Sequence, residues 1–98
     1  MLFVITYKVR DSITEEKERR NLKEYATWKA PAGIEIKSHY HAPGLMGFVT
    51  CEAASPAAVI EYILAFTPYF EHQVYPVVDI QEAVPIIQRV YAWQDSVR

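Results

Sequence analysis

Cysteine is almost absent: Cys51 stands alone in 98 residues, which excludes an internal disulfide framework and a four-cysteine zinc site. Positive charge is missing from half the chain, with no Lys or Arg between Ser38 and Gln88 and a formal net charge of −2. That balance gives no electrostatic case for nucleic acid, and no nucleic-acid partner is expected. No apolar run approaches the ~20 residues that cross a bilayer; the longest, Ala57 to Phe66, carries Glu61. Leu2 to Val9 is short and lacks a basic leader, so it does not read as a signal segment. No membrane partner is expected, and a lone cysteine in a strand fits a reducing, cytoplasmic compartment. Glycine numbers three and no repeat occurs, so no low-complexity class applies. GxGxxG, P-loop, HExxH and GxSxG patterns are all missing, which sets aside the usual nucleotide, zinc-protease and serine-hydrolase signatures.

What is present suits one folded unit. Hydrophobic residues make up 51% and charged residues 22%, and a chain this short holds a single core, so residues 1–98 are read as one domain. Residues 2–9 are β-branched and aromatic and apolar on both faces, as in a central strand. Ser12-Ile13-Thr14-Glu15 fits a capping box opening a helix. Eight of residues 15–24 are charged, with Glu15/Arg19, Glu16/Arg20 and Arg20/Glu24 at i,i+4 spacing. The buried stripe of that helix is narrow: Ile13, Leu22, Tyr25 and Ala26. Ile34–His41 and Met46–Glu52 read as a hairpin turned by Ala42-Pro43-Gly44-Leu45. Ser55-Pro56 caps a second helix running to about Phe66. Tyr69–Val78 is a fourth strand, and Pro76 marks either a sheet edge or the strand's end. Asp79 caps a last helix to about Asp95, with Val84, Ile87, Val90 and Tyr91 inward and Pro85 interrupting its first turns. The order β-α-β-β-α-β plus a C-terminal helix is that of an α+β, ferredoxin-like antiparallel sheet with both main helices on one face.

Hairpin register then predicts the faces. A four-residue turn sets His41 opposite Met46, His39 opposite Phe48, Lys37 opposite Thr50 and Glu35 opposite Glu52. Ile34, Ile36, Val49 and Cys51 fall under the helices, while Lys37, His39, His41, Phe48, Thr50 and Glu52 fall on the helix-free face. On the first strand either Leu2/Val4/Thr6 or Phe3/Ile5/Tyr7 joins that face; on the fourth, either Phe70/His72/Val74 or Glu71/Gln73/Tyr75. A sheet face this apolar needs a cover. The expected cover is the same face of a second copy, a homodimer with a cavity between the sheets. The acids of the second half, Glu52, Glu61, Glu71, Asp79 and Glu82, have no local counterions and read as a solvated face.

The segments Tyr7-Lys8-Val9-Arg10, Trp28 to Lys37, His39-Tyr40-His41, Gly47-Phe48, Pro68-Tyr69-Phe70, Val77-Val78-Asp79-Ile80 and Ala83-Val84-Pro85 together resemble an uncharacterised bacterial family, the domain of unknown function numbered 3303. The resemblance covers nearly the whole chain. It implies the fold of the dimeric α/β-barrel proteins, which include cofactor-free monooxygenases, haem enzymes and stress proteins. It implies no particular activity, substrate or cofactor.

The chemistry-bearing residues are few. His39-x-His41 sets two imidazoles on one strand face about 7 Å apart, a spacing metal sites use with a third ligand such as His72 or Glu52. Polar residues at an interface rim give the same pattern. The same imidazoles, near pKa 6.5, can serve as base and donor, with Tyr7 adding a phenol. A ligand site for a small apolar or aromatic molecule is therefore placed at Tyr7, His39, His41, Phe48, Thr50 and Glu52. The cofactor is unknown. Three functions fit: a small-molecule-binding protein, a cofactor-independent enzyme of monooxygenase or isomerase type using His39 or His41, and a structural or regulatory interaction module. Trp28, Tyr69, Phe70 and Trp93 read as core or interface bulk, and Cys51 as an inert core residue.

Overall fold

The computed structural model describes residues 1–98. Seven elements follow in order: β1 (Leu2–Val9), α1 (Glu15–Thr27), β2 (Ile34–Ala42), β3 (Met46–Ala53), α2 (Pro56–Leu64), β4 (Phe70–Val77) and α3 (Ile80–Ser96). The four strands form one antiparallel sheet in the order β2-β3-β1-β4. This is the ferredoxin-like α+β arrangement, with β1 central and the proline-bearing β4 at an edge, where the missing N–H of Pro76 costs no ladder bond.

The core lies between the sheet and α2. Phe3 and Ile5 of β1, Val49, Cys51 and Ala53 of β3, and Ala58, Val59, Tyr62 and Phe66 pack together; Ile5, Val49 and Cys51 are fully buried. Period-2 alternation then fixes the other face. Leu2, Val4 and Thr6 pair with Glu52, Thr50 and Phe48 on one side and with Val77, Tyr75 and Gln73 on the other, and these residues share the face that no helix covers.

The hairpin departs from the expected register, and the departure moves the site. Its connection is Pro43-Gly44-Leu45, so Ala42, not His41, faces Met46. Gly44 and Leu45 both adopt left-handed backbone, with φ of 88° and 58°, and two such residues turn the chain more tightly than a four-residue loop. The register is restored at Glu35↔Glu52 by an irregularity between Ile36 and Ser38, which leaves Lys37 as the extra residue. Between these two points the strand is shifted by one residue, and a one-residue shift exchanges faces. His39 pairs with Val49 and His41 with Gly47. Both imidazoles therefore lie on the helix side, with Ile34 and Ile36, and the expected placement beside Phe48 is overturned. Phe48 and Thr50 do lie on the open face, where Thr50 Oγ1 and Ser38 Oγ are 2.6 Å apart.

The helices bring further corrections. Thr14, not Ser12, caps α1, its side chain accepting from Lys17 N–H at 3.2 Å. Of the three i,i+4 pairs, Glu15–Arg19 closes, at 2.7 Å. The expected α1 stripe is not buried, for Leu22 is 69% and Tyr25 46% exposed: α1 stands off the sheet. Ser55 occupies the cap position of α2, but its hydroxyl makes no cap bond. Asp79 caps α3 as expected, accepting from Gln81 N–H at 2.8 Å. Pro85 does not interrupt α3, which runs unbroken through it. Only the bond to the Gln81 carbonyl is forfeited, and in an exposed helix water replaces it. Val84, Ile87, Val90 and Tyr91 are not inward; no residue of α3 is buried.

Candidate functional site

The gap beneath α1 is a pocket of about 390 Å3, within the range of ligand sites. The sheet supplies Tyr7 from β1, His39 and His41 from β2, and Phe70 and His72 from β4; α1 supplies Asn21, Leu22 and Tyr25; Tyr62 and Phe66 close one end. The pocket exists because α1 places its few apolar side chains at a distance rather than in the core, while period-2 alternation aims every second residue of three strands into the space between.

Tyr7 is the centre of the floor. Its hydroxyl lies 2.7 Å from His39 Nε2 and 3.1 Å from His41 Nδ1. Its ring packs edge-on to Phe70 at 4.8 Å and lies 6.0 Å from the His72 ring. The ring reaches this place over Gly47, where a Cβ would overlap it. Gly47 is thus required by close approach and not by a left-handed backbone. His39 also meets Tyr25 edge-on, ring centres 6.0 Å apart, so α1 touches the triad through one aromatic contact.

Burial sets the protonation of this group. It pushes the Tyr7 phenol above its ordinary value, with Tyr25 adding to the effect. It lowers His39, and neighbouring His41 lowers it further. It lowers His72 as well, helped by the positive charge of Arg10. At neutral pH the phenol and these imidazoles are uncharged. A hydroxyl offers one proton, so Tyr7 donates to one ring nitrogen and accepts from the other. If it donates to His39 Nε2, His39 is left with an Nδ1–H and His41 with a bare Nε2. If it donates to His41, the roles exchange. In the form with both rings neutral, either arrangement leaves one donor and one acceptor on the ring nitrogens that do not meet Tyr7. On the helix wall Asn21 Oδ1 is shielded from solvent and has no hydrogen-bond partner, an arrangement that native interiors rarely leave unmet.

The residues expected to form one site are divided by the sheet. Tyr7, His39 and His41 come together in the pocket; Phe48, Thr50 and Glu52 lie on the opposite face. Glu52 is thereby removed as a partner of the histidines and instead meets the Met1 amino group at 3.1 Å. No group of three or more His, Cys, Asp or Glu side chains is arranged to hold a metal ion. Asn21, Tyr62 and Phe66 were not legible as site residues. Leu22 and Tyr25 were legible as one helix face but read as core. The pocket that Tyr7, His39 and His41 line lies within one chain.

An α+β ferredoxin-like domain carrying a neutral, aromatic-walled pocket on the helix side of its sheet is the class that fold and site define. The chain belongs to the family described as Domain of unknown function (DUF3303), which matches residues 1–91. No curated protein matches it. No helix is long and apolar enough to cross a membrane.

Proposed function

We propose that this protein binds a small, largely apolar, planar molecule with a polar end, in the pocket between α1 and the sheet. The observation that carries the reading is the Tyr7 hydroxyl held by two imidazoles at the floor of an aromatic pocket. Such a floor presents hydrogen-bonding groups side by side. The walls of Leu22, Tyr25, Phe66 and Phe70 suit an aromatic body, which gains roughly 25 cal/mol for each Å2 removed from water. Uncharged walls favour a neutral ligand. The buried, free Cys51 thiol supports a reducing, cytoplasmic setting.

A thermal-shift titration with 2-naphthol and with naphthalene tests the reading. Stabilisation by 2-naphthol exceeding that by naphthalene is expected, with the difference lost in Tyr7→Phe and His39→Ala. Equal shifts from the two compounds, or none, would overturn it.

One observation favours a second reading on the same site, cofactor-independent acid–base chemistry. An imidazole kept neutral by burial and hydrogen-bonded to a phenol is a base with a nearby donor, the pairing that proton transfer at a carbon acid requires. Deuterium exchange at a weakly acidic C–H of a bound phenolic ketone, faster with the parent than with His39→Gln, is the expected sign.

A further inference from the structure

One row of residues runs across the sheet beneath the pocket. His41 of β2 pairs with Gly47 of β3, Gly47 with Tyr7 of β1, and Tyr7 with His72 of β4. Paired residues share a face, so the row lies on the helix side, on strands about 4.8 Å apart. Gly47 leaves a gap in it, and the Tyr7 ring leans across that gap towards β2. The lean divides the floor. It carries the hydroxyl to His39 and His41, at 2.7 Å and 3.1 Å, and away from His72 on the other side. The ring centres of His41 and His72 each lie 6.0 Å from that of Tyr7, with the Tyr7 ring between them.

His72 is the unclaimed imidazole. His39 and His41 each commit a ring nitrogen to Tyr7, whereas His72 bonds to no side chain. It is half-buried, stands edge-on to Phe70 with ring centres 6.3 Å apart, and lines the same cavity. The nearby cation is engaged elsewhere: Arg10 donates from Nε to the Thr67 carbonyl at 2.7 Å and meets Glu71 at 3.9 Å. Burial, helped by that cation, lowers the His72 pKa and keeps the ring neutral at neutral pH. A neutral imidazole holds one bare nitrogen, an acceptor for a hydroxyl.

We propose that the pocket takes a neutral, planar arene with a hydroxyl at each end, one bound by Tyr7, His39 and His41 and the other by His72. This rests on the pocket reading above and adds a second polar end, with His72 as the residue that selects doubly over singly hydroxylated arenes. Between the two ends lie the rings of Tyr7 and Phe70, 4.8 Å apart, an apolar bed for a flat body. Hydroxyls on adjacent carbons cannot reach both ends, because the Tyr7 ring separates them. A ligand with one hydroxyl dries His72 and gives it no bond in return, and a polar group left unpaired in this way is the strongest source of discrimination between near-identical ligands.

Isothermal titration of the parent and of His72→Leu with 2-naphthol, 2,6-dihydroxynaphthalene and 2,3-dihydroxynaphthalene tests it. The parent is expected to bind the 2,6-isomer about fivefold tighter than 2-naphthol, the worth of one neutral hydrogen bond. In His72→Leu that gain is expected to vanish, with 2-naphthol bound at least as tightly as by the parent and the 2,3-isomer unaffected. A 2,6-isomer no tighter than 2-naphthol, or a gain that survives His72→Leu, overturns the inference, while the pocket reading still stands on the preference for 2-naphthol over naphthalene. If that preference is missing as well, both fall. Should His72→Leu not fold, the imidazole nitrogen NMR signals of the parent decide. The 2,6-isomer must move those of His72, and signals that stay in place overturn the second polar end.

Discussion

Gly47 and Tyr7 show how much of the site rests on a single missing atom. Tyr7 crosses the backbone at Gly47 to reach His39 and His41, and a methyl group there would occupy the ring's place. Gly47→Ala is expected to tilt the ring, break both imidazole contacts and cost about 1–3 kcal/mol through overpacking. Urea denaturation measures the cost, and loss of the 2-naphthol shift measures the site. The histidines add a pH dependence whose sign follows from burial. His39 and His72 are lowered in the folded chain, so as pH falls through about 6.5 the unfolded state takes up protons that the folded state refuses. Stability from these groups is complete above that value and declines below it, until the lowered folded pKa values are passed. The urea midpoint is expected to be lower at pH 5 than at pH 7.5, and the drop to be smaller in His39→Gln. An equal drop in both proteins would show that His39 does not contribute.

Among the elements, β2 decides which face the histidines serve. Strand positions, the two main helices, the edge placement of β4 and the burial of Val49 and Cys51 were all legible, because each rests on local periodicity or on a proline. The site was not, because it rests on Lys37. A bulge leaves no pattern when both faces of a strand are mixed, and Ile34 to His41 alternates without a clean polar side. Deleting Lys37 is expected to make Ile36↔Cys51 and Ser38↔Thr50 consecutive pairs of a regular ladder, leaving His39 and His41 opposite Val49 and Gly47 on the helix side. In a histidine NMR titration the His39 pKa should then stay lowered, as in the parent; a rise to the ordinary value near 6.5 would mean that the strand had slipped and carried the ring to the open face. The caps separate in the same manner. Thr14→Ala removes a formed hydrogen bond and should cost about 1 kcal/mol, whereas Ser55→Ala removes none and should leave the urea midpoint nearly unmoved.

For the whole molecule, the burial argument drawn from the sequence foresaw an uncovered sheet face but put His39 and His41 on it, whereas they line a pocket on the helix side. Burial patterns say which surfaces need a cover; they do not say whether a helix sits tightly or stands off. The charged, apolar-poor α1 stands off, and Leu22 and Tyr25 become walls of a pocket in place of core. The α3 periodicity was read correctly as amphipathic, yet its direction was taken for granted. Pocket and α3 lie on separate parts of the structure. An Ile87→Asp/Val90→Asp variant is therefore expected to keep its 2-naphthol shift, and loss of that shift with the pocket residues intact would show that pocket and α3 are coupled.

Cys51 gives the chain a clock. It is the sole cysteine, fully buried on a strand hydrogen-bonded along both edges, and burial pushes its thiol up, away from the reactive thiolate. A disulfide reagent such as Ellman's reagent cannot touch it until β3 parts from its neighbours, so the rate of colour release counts openings of the central sheet. No engineered label is needed. Because the pocket's wall includes Tyr7 on the adjoining strand, any molecule held there should slow that clock in proportion to its occupancy.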